Sequence, residues 1–246
     1  MHIKLMQASF ITLDNKNKDF FFFEKKDVRS VMGALVYLVK TRLPEYIGAS
    51  PFEIQVLTPM RKGELGVEHL NEVLQYYLNP ASESKKEKEG RTGVFREGDK
   101  VMQVKNNYKL EWKITNAKGF SIEEGLGVFN GDMGIIKQIN TYSERITVVF
   151  DENREAEYPF SSLDELELAY AITIHKSQGS EYPAVVLPLL SGPPILCNRN
   201  LLYTAITRAQ KCVAIAGRQS MVEQMIHNET EQKRYSGLND CLKEGL

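Results

Sequence analysis

Hydrophobic and polar residues follow a strand pattern and then a helical pattern in the N-terminal part of the chain. The run DFFFFE at 19–24 predicts a short buried strand, and Asp27 predicts a helix N-cap. Apolar side chains then recur at helical spacing from Val28 to Leu43, and we expect Pro44 to end this helix. These features predict the beginning of an α/β domain.

The next elements continue the alternation of strands and helices. Residues 53–58 predict a second strand, and apolar residues at helical spacing over 67–78 predict a helix that stops at Asn79. Strands and helices in this order are typical of a parallel α/β sheet. Residues 1–18 show little periodicity and are left unassigned.

The pattern changes in the middle of the chain. The charged connector 81–91 is poor in apolar residues, and the residues from 98 to 158 form short β-rich runs separated by turn-forming residues. No helical period of useful length occurs there. We therefore predict a small antiparallel β-barrel over 95–160.

After Leu163 the α/β pattern returns. The predicted elements are a strand at 167–174, a loop at 175–182, a strand at 184–190, a helix at 200–209, a strand at 212–216 and a helix at 221–227. The simplest topology is an α/β domain, formed by 19–94 and 161–246, that the barrel at 95–160 interrupts.

The composition is that of an ordinary globular protein, because 42% of the 246 residues are hydrophobic and 26% are charged. The longest apolar runs are far shorter than the roughly 20 residues of a membrane span, and no basic and apolar leader opens the chain. We therefore expect a soluble, cytoplasmic protein without a membrane partner. Three cysteines without CxxC spacing exclude a disulfide framework and a zinc site.

The net charge is only -1, but the charges are unevenly distributed. Residues 82–118 contain ten basic and six acidic side chains, and residues 196–218 contain four basic and no acidic ones. Residues 151–167 contain seven acidic side chains and one arginine. Basic segments of this kind are compatible with nucleic-acid binding, although a solvated surface is the commoner explanation.

Three loops carry candidate chemistry. The loop at 173–182 follows a predicted strand, where open α/β sheets bind ligands, and Lys176 and the hydroxyls near Gly179 would suit a phosphate. Its alternatives are a solvated connector or a His175–Ser177 base and nucleophile, which lacks a nucleophile elbow and a third member.

The two other candidate segments carry arginines. Arg208 lies on a predicted helix among apolar neighbours, where it either binds an anion or reaches solvent or a salt-bridge partner. Arg61 and Lys62 follow the second strand and would suit phosphates, although a basic turn without a partner is commoner. None of these loops is strong evidence by itself.

Two further observations restrict the chemistry. No glycine in the chain is followed by lysine, so the phosphate-binding loop GxxxxGK[ST] of NTPases is missing. Asp151 and Glu152 resemble a metal-binding strand end, but they lie in the β-only segment, and we interpret them as a hairpin turn. We assign no metal ligand.

Considered together, the loops resemble one known family. Residues 168–190 resemble motif V, 199–209 resemble motif VI, and 56–71 are similar to the motif IV region of RecD-like superfamily 1 ATP-dependent DNA helicases, the family of the exonuclease V alpha subunit. Residues 95–108 and 128–136 resemble the SH3-like insertion of this family. The motifs occur in the order found in the family.

The resemblance implies a RecA-like second motor domain with an SH3-like barrel inserted between motifs IV and V. The first motor domain, with the phosphate loop and the metal-binding acids, would lie upstream. The chain would then be the C-terminal half of an ATP-dependent helicase or translocase. It would hydrolyse no ATP alone, whereas the full-length parent would use ATP and Mg²⁺.

The resemblance also implies roles for individual residues. Arg208 would be the catalytic residue that reaches the γ-phosphate, and Arg61 and Glu181 would contact the nucleotide. The residues near the DNA backbone would be Thr173, His175, Lys176, Ser177, Asn106 and Asn107. The implied partners are single-stranded DNA and the upstream motor domain, and the question whether nuclease-complex subunits also bind stays open.

Two other function classes remain at this point. A non-enzymatic nucleic-acid-binding module is favoured by the missing phosphate loop, but it would not need motifs IV and VI. A small-molecule α/β enzyme has no recognisable acid–base pair in the sequence. Within the insertion, residues 109–126 are longer than a tight hairpin requires, which predicts an unusual loop.

Overall fold

A computed structural model describes residues 18–91, 93–116 and 120–229 of the chain. The strands are β1 (Phe20–Glu24), β2 (Ile54–Thr58), β3 (Glu87–Glu89), β4 (Val94–Arg96), β5 (Lys100–Gln103), β6 (Asn107–Thr115), β7 (Ser121–Val128), β8 (Met133–Asn140), β9 (Arg145–Phe150), β10 (Glu155–Pro159), β11 (Leu166–Leu168), β12 (Ala171–Thr173), β13 (Tyr182–Leu189) and β14 (Ala209–Gly217). The α-helices are α1 (Val28–Tyr37), α2 (Leu43–Ile47), α3 (Val67–Leu78), α4 (Arg199–Ile206) and α5 (Gln219–His227). Except for Lys18, the unassigned N-terminal stretch lies outside the described residues.

Five strands form a parallel sheet in the order β1-β14-β13-β2-β12. Val186 of β13 lies beside Val56 of β2 and beside Ala214 of β14. Every residue of β2 is buried, as expected for a parallel sheet that is covered on both faces. Helices α1 and α3 pack on one face, and α4 and α5 pack on the other. The predicted α/β class is therefore confirmed.

The helix that follows β1 begins as predicted, because the Asp27 carboxylate accepts a hydrogen bond of 2.9 Å from the Ser30 amide. The prediction that Pro44 ends it is wrong. After α1 the chain widens into a π-helical turn, in which the Leu43 amide bonds to the Leu38 carbonyl, and α2 follows. Pro44 lies in the first turn of α2, where a missing amide hydrogen is tolerated. Helix α2 ends at Ile47, and the following C-cap residue Gly48 has a φ of +66°.

Seven strands form an antiparallel sheet in the order β11-β5-β8-β9-β10-β6-β7. Burial alternates along β9, where Ile146, Val148 and Phe150 are buried, as expected for strands with one face on a core. Within the described ranges, no pairing joins β11 to β7, so closure into a barrel stays a prediction. The pair β3 and β4 forms a separate small hairpin.

The long segment at 109–126 contributes residues 109–115 to β6 and residues 121–126 to β7, and these two strands pair antiparallel. Residues 117–119, where the unusual loop is predicted, lie outside the described residues. Gly125 lies opposite Trp112, and a Cβ atom at Gly125 would come within 2.3 Å of the indole ring. The turn at Asp151–Asn153 connects β9 to β10, as the hairpin interpretation predicted, and Glu152 and Asn153 both have a φ of +61°.

The strand predicted at 167–174 is two strands in different sheets. β11 pairs antiparallel with β5, whereas β12 pairs parallel with β2. The backbone between them is bonded by distant side chains: the Gln55 amide donates to the carbonyls of Ala169 and Tyr170, and Asn71 bonds to Leu168 and Ala171. The apolar run continues from β11 into β12, so the hydrophobic pattern alone did not predict that the chain passes from one sheet to the other here.

One hydrophobic cluster joins the two sheets. It contains Leu70 and Leu74 of α3 together with Val101, Ile136 and Val148 of the antiparallel sheet. The strand β11 lies beyond the end at 160 that we predicted for the insertion, yet it belongs to the antiparallel sheet. The division of the chain into 19–94, 95–160 and 161–246 stays a prediction.

Asp99 and Lys100 form what we call the buried junction between the sheets. The Asp99 carboxylate accepts hydrogen bonds from the side chains of Gln75 (2.6 Å), Asn79 (2.7 Å) and Tyr170 (2.9 Å), and from the Arg96 amide (2.7 Å). Lys100 donates to the Phe52 carbonyl (2.7 Å) and to the Gln55 side chain (2.8 Å). Neutral groups therefore satisfy both charges.

Candidate nucleotide and nucleic-acid site

The structure separates the predicted site residues into two groups at the parallel sheet. Arg208 precedes β14 and Glu181 precedes β13, so both lie at the amino ends of adjacent strands. Arg61 follows β2 and Lys176 follows β12, at the carboxyl ends of another adjacent pair. Arg61, predicted to bind nucleotide, therefore lies beside Lys176, which was predicted to bind DNA.

Arg208 does not lie on a helix, which corrects the sequence prediction. Helix α4 ends at Ile206, and Arg208 follows the capping residue Thr207 in the turn before β14. Its guanidinium donates to the carbonyls of Thr204 and Ser180, both at 3.3 Å, and to the Thr207 hydroxyl at 3.2 Å. Among the described residues, no carboxylate lies within ion-pair distance of this half-buried arginine.

Glu181 is exposed and lies next to the carbonyl that Arg208 contacts. Its carboxylate accepts a hydrogen bond of 3.3 Å from the Gln210 side chain and does not pair with Arg208. The neighbouring Tyr182 is buried, and its hydroxyl has no hydrogen-bond partner within the described part of the chain. Burial raises the pKa of Tyr182.

Arg61, Glu68, Glu167 and Lys176 form a group of charges that we call the Glu167 cluster. Arg61 donates to one oxygen of Glu167 at 2.6 Å, and Lys176 donates to the other at 3.2 Å. Arg61 also lies 3.4 Å from Glu68. The commoner reading of the Arg61 loop, a basic turn without a partner, is therefore wrong.

The pKa shifts of Glu167 and Arg61 favour the charged forms of these two groups. Burial by itself would raise the pKa of Glu167, but the hydrogen bond from Arg61 and the charge of Lys176 outweigh it and leave the pKa below its usual value. The hydrogen bond to Glu167 raises the pKa of Arg61.

The other predicted DNA residues of this loop have different environments. Thr173 caps the turn Ile174–Ser177 by accepting a hydrogen bond of 3.3 Å from the Lys176 amide. Ser177 is fully buried and donates to the Ile174 carbonyl at 2.7 Å, so its hydroxyl is occupied inside the turn. His175 is exposed. His175 and Lys176 are the side chains best placed to meet a ligand.

Asn106 precedes the hairpin of β6 and β7, and Asn107 is the first residue of β6. Asn107 donates to the Glu165 carboxylate at 2.9 Å, and Asn106 accepts a hydrogen bond of 2.9 Å from the Asn130 amide. The exposed Tyr108 ring lies beside Phe129, with ring centroids 5.6 Å apart in an edge-to-face arrangement. An aromatic pair therefore adjoins the two predicted DNA contacts.

The sequence analysis missed Glu165 and Glu167 as site residues. Glu165 binds Asn107, and Glu167, two positions later, binds both Lys176 and Arg61. These two carboxylates therefore contact predicted ligand-binding side chains from the insertion and from the parallel sheet. Both residues lie in the acidic segment 151–167, but nothing in the sequence of that segment identified their partners.

Two absences apply to the described ranges only. No group of three or more His, Cys, Asp or Glu side chains there could bind a metal ion. No helix in this part of the chain is long and apolar enough to cross a membrane.

Comparison with known proteins identifies two family matches. Residues 70–150 match the family described as the ATP-dependent RecD-like DNA helicase SH3 domain. Residues 168–216 match the UvrD-like helicase C-terminal domain. The second match includes Lys176, Glu181 and Arg208.

Individual relatives agree with these matches. The ATP-dependent RecD2 DNA helicase of Deinococcus radiodurans is 39% identical over 167 residues, which are 68% of this chain and 20% of that protein. The RecBCD enzyme subunit RecD of Mycolicibacterium smegmatis is 30% identical over 191 residues, which are 78% of this chain and 29% of that protein. The chain thus spans less than a third of either relative.

Among solved structures, a Bacteroides Pif1 helicase in complex with ADP-AlF3 and ssDNA superposes with a TM-score of 0.46 and 18% identity, covering 96% of this chain and 55% of that one. The family assignment itself rests on the sequence matches. On these matches, which fall on the segments that carry the insertion and the motif V and VI loops, the chain belongs to the RecD-like family of DNA helicases.

Proposed function

We propose that this chain is the C-terminal half of an ATP-dependent DNA helicase or translocase. In this proposal Arg208 and Glu181, at the amino ends of their strands, and Arg61, at the carboxyl end of β2, contribute separate contacts to an ATP site whose other half lies on an upstream motor domain. The single-stranded DNA track includes Lys176 and its neighbours Thr173 and His175, together with Asn106 and Asn107 of the insertion. The names of the relatives and the family descriptions support this proposal.

The observation that carries the proposal is the environment of Arg208. Its guanidinium is positioned by two carbonyls and a hydroxyl, and no carboxylate in the described part of the chain neutralises it. A guanidinium in this environment is available to an anion, and its planar fork suits phosphate oxygens. An arginine delivered from a second domain accelerates phosphoryl transfer by about 10³–10⁵ in known cases.

The full-length parent would use ATP with Mg²⁺. The chain alone would hydrolyse no ATP, because no glycine in it is followed by the lysine that the phosphate-binding loop GxxxxGK[ST] requires. We expect the isolated chain to bind single-stranded DNA weakly. This binding would depend strongly on salt, since the proposed contacts go to backbone phosphates. The RecBCD name of one relative makes nuclease-complex subunits further candidate partners.

The test is Arg208→Ala in the full-length helicase. A contact that strengthens in the transition state should lower kcat by about 100-fold, on the order of 3 kcal/mol, without changing DNA affinity in the absence of nucleotide. Arg208→Lys should restore only part of the rate, because an ammonium group lacks the planar fork.

Arg218→Ala provides a matched control. Arg218 lies at the opposite end of β14 and donates to the Lys26 carbonyl at 2.7 Å, so it is also positioned by a backbone oxygen. We expect normal kcat for this variant. If Arg208→Ala lowers the melting temperature but leaves kcat per folded molecule unchanged, the assignment of Arg208 to the ATP site is wrong.

A further inference from the structure

The charges of the Glu167 cluster are balanced only as a group. Two cations, Arg61 and Lys176, face two carboxylates, Glu167 and Glu68. Glu68 contacts Arg61 alone, whereas Glu167 contacts both cations. The Glu167 side chain is 18% exposed, against 45% for Arg61 and 30% for Lys176. The shared carboxylate is therefore the most buried charge, and the two cations reach further into solvent.

The backbone explains why Glu167 stays between the cations. It lies on β11, where it is paired with Met102 of β5, and the following Leu168 carbonyl accepts a hydrogen bond of 3.0 Å from Asn71. The two cations come from loops of the parallel sheet and have long side chains. An incoming phosphate can thus attract either cation more easily than it can displace the carboxylate.

We propose that Glu167 is a positioning residue that couples Arg61 to Lys176, because a phosphate bound by one cation leaves the shared carboxylate to the other. This inference rests on the proposed function, in which Lys176 contacts the DNA backbone and Arg61 contacts nucleotide. Phosphate at Arg61 then weakens the contact of Lys176 with DNA. By linkage, DNA at Lys176 weakens phosphate binding at Arg61 to the same extent.

The first experiment measures binding of the 246-residue chain to a fluorescein-labelled oligo(dT) strand at several salt concentrations. Glu167→Gln removes the shared charge but keeps the shape. We expect this variant to bind about fivefold more tightly and to steepen the dependence of log K on log salt by about one, since one more cation becomes available to phosphate. Glu68→Gln is the matched control, because it removes one charge from Arg61 only, and it should change affinity less than about twofold.

The second experiment distinguishes coupling from direct contact. Arg61→Ala should weaken DNA binding about threefold in the native chain, because the freed Glu167 then neutralises Lys176 more completely. The same substitution should have no effect when Glu167 is already Gln. Equal weakening in both backgrounds would mean that Arg61 contacts DNA directly, and it would overturn the proposal. Melting temperatures of all variants verify that they are folded.

A third measurement separates failure of the inference from failure of the proposed function. If the native chain binds no DNA, or if Lys176→Ala binds as the native chain does, the proposed DNA contact is wrong. The rate of Lys176 acetylation by sulfo-NHS-acetate, measured by mass spectrometry, then tests the coupling without DNA. An amine held against a carboxylate is less accessible to the reagent, so Arg61→Ala should slow the reaction and Glu167→Gln should accelerate it. Unchanged rates in both variants would overturn the inference.

Discussion

The buried junction and the Glu167 cluster both connect the antiparallel sheet to the parallel one, but they balance charge differently. At the buried junction, Asp99 and Lys100 bond to amides, a hydroxyl and a carbonyl. In the Glu167 cluster, each charge faces an opposite charge. The two regions therefore respond differently to a ligand with its own charge.

The pKa shifts show this difference. Burial raises the pKa of Asp99 and lowers the pKa of Lys100 to about 8, so both shifts favour the neutral forms. The pKa of Glu167 is lowered and that of Arg61 is raised, so both shifts favour the charged forms. At the buried junction, water cannot replace a lost hydrogen-bond partner, so the bonds of Asp99 and Lys100 hold the two sheets in one arrangement. Partly solvated ion pairs can exchange one partner for a phosphate at modest cost.

The largest expected effect on stability comes from removing the Asp99 carboxylate at the buried junction. Asp99→Ala leaves the side chains of Gln75, Asn79 and Tyr170 and the Arg96 amide without their acceptor. We expect a loss of about 4 kcal/mol in the free energy of unfolding, since buried unpaired donors are costly. Urea unfolding measures it. Asp164→Ala, which removes the exposed ion pair with Lys105, is the control and should change stability little. Equal losses of unfolding free energy in both variants would show that the buried hydrogen bonds of Asp99 stabilise the fold no more than an exposed ion pair does.

Lys100 provides a pH test of the same junction. Its pKa is about 8 in the folded chain and 10.5 ordinarily, so between these values the unfolded chain binds more protons. The contribution of Lys100 to stability should therefore rise as the pH rises from about 8 to 10.5, by on the order of 3 kcal/mol. The measurement is the unfolding free energy of the native chain minus that of Lys100→Met across this range. A flat difference would mean that Lys100 is not desolvated.

The smallest effect on stability is expected in the Glu167 cluster. Arg61→Ala breaks two ion pairs, but the guanidinium is 45% exposed, so the loss should be below about 1 kcal/mol. High salt should reduce it further, because it screens exposed pairs. Thermal unfolding at low and high salt measures both. A loss as large as that of Asp99→Ala would make the cluster a structural element, and exchange with phosphate would then be too costly.

The sequence predicted elements best where burial follows a local period. Helix α3 and strand β2 lie where their apolar patterns placed them, because a helix or strand packed on a core must repeat at 3.6 or 2 residues or be apolar throughout. Predictions failed where the local pattern continued through a change in geometry. The helix passes Pro44 through a π-helical turn, and the apolar run at 167–174 crosses from one sheet to the other.

The candidate site shows the same limit. The sequence alone identified Arg61 and Lys176 as cations in loops that follow strands, and it identified the class of fold that carries them. It also identified Arg208 as a candidate cation, but it placed this residue on a helix. Only the tertiary structure decided which of them have a counter-ion. Glu167 is 106 positions from Arg61 in the chain, and it reaches this cation because β11 leaves the parallel sheet to pair with β5. Local patterns record which face of an element is buried, whereas the partner of a charge depends on which distant strands pair, and strand pairing is a property of the whole fold.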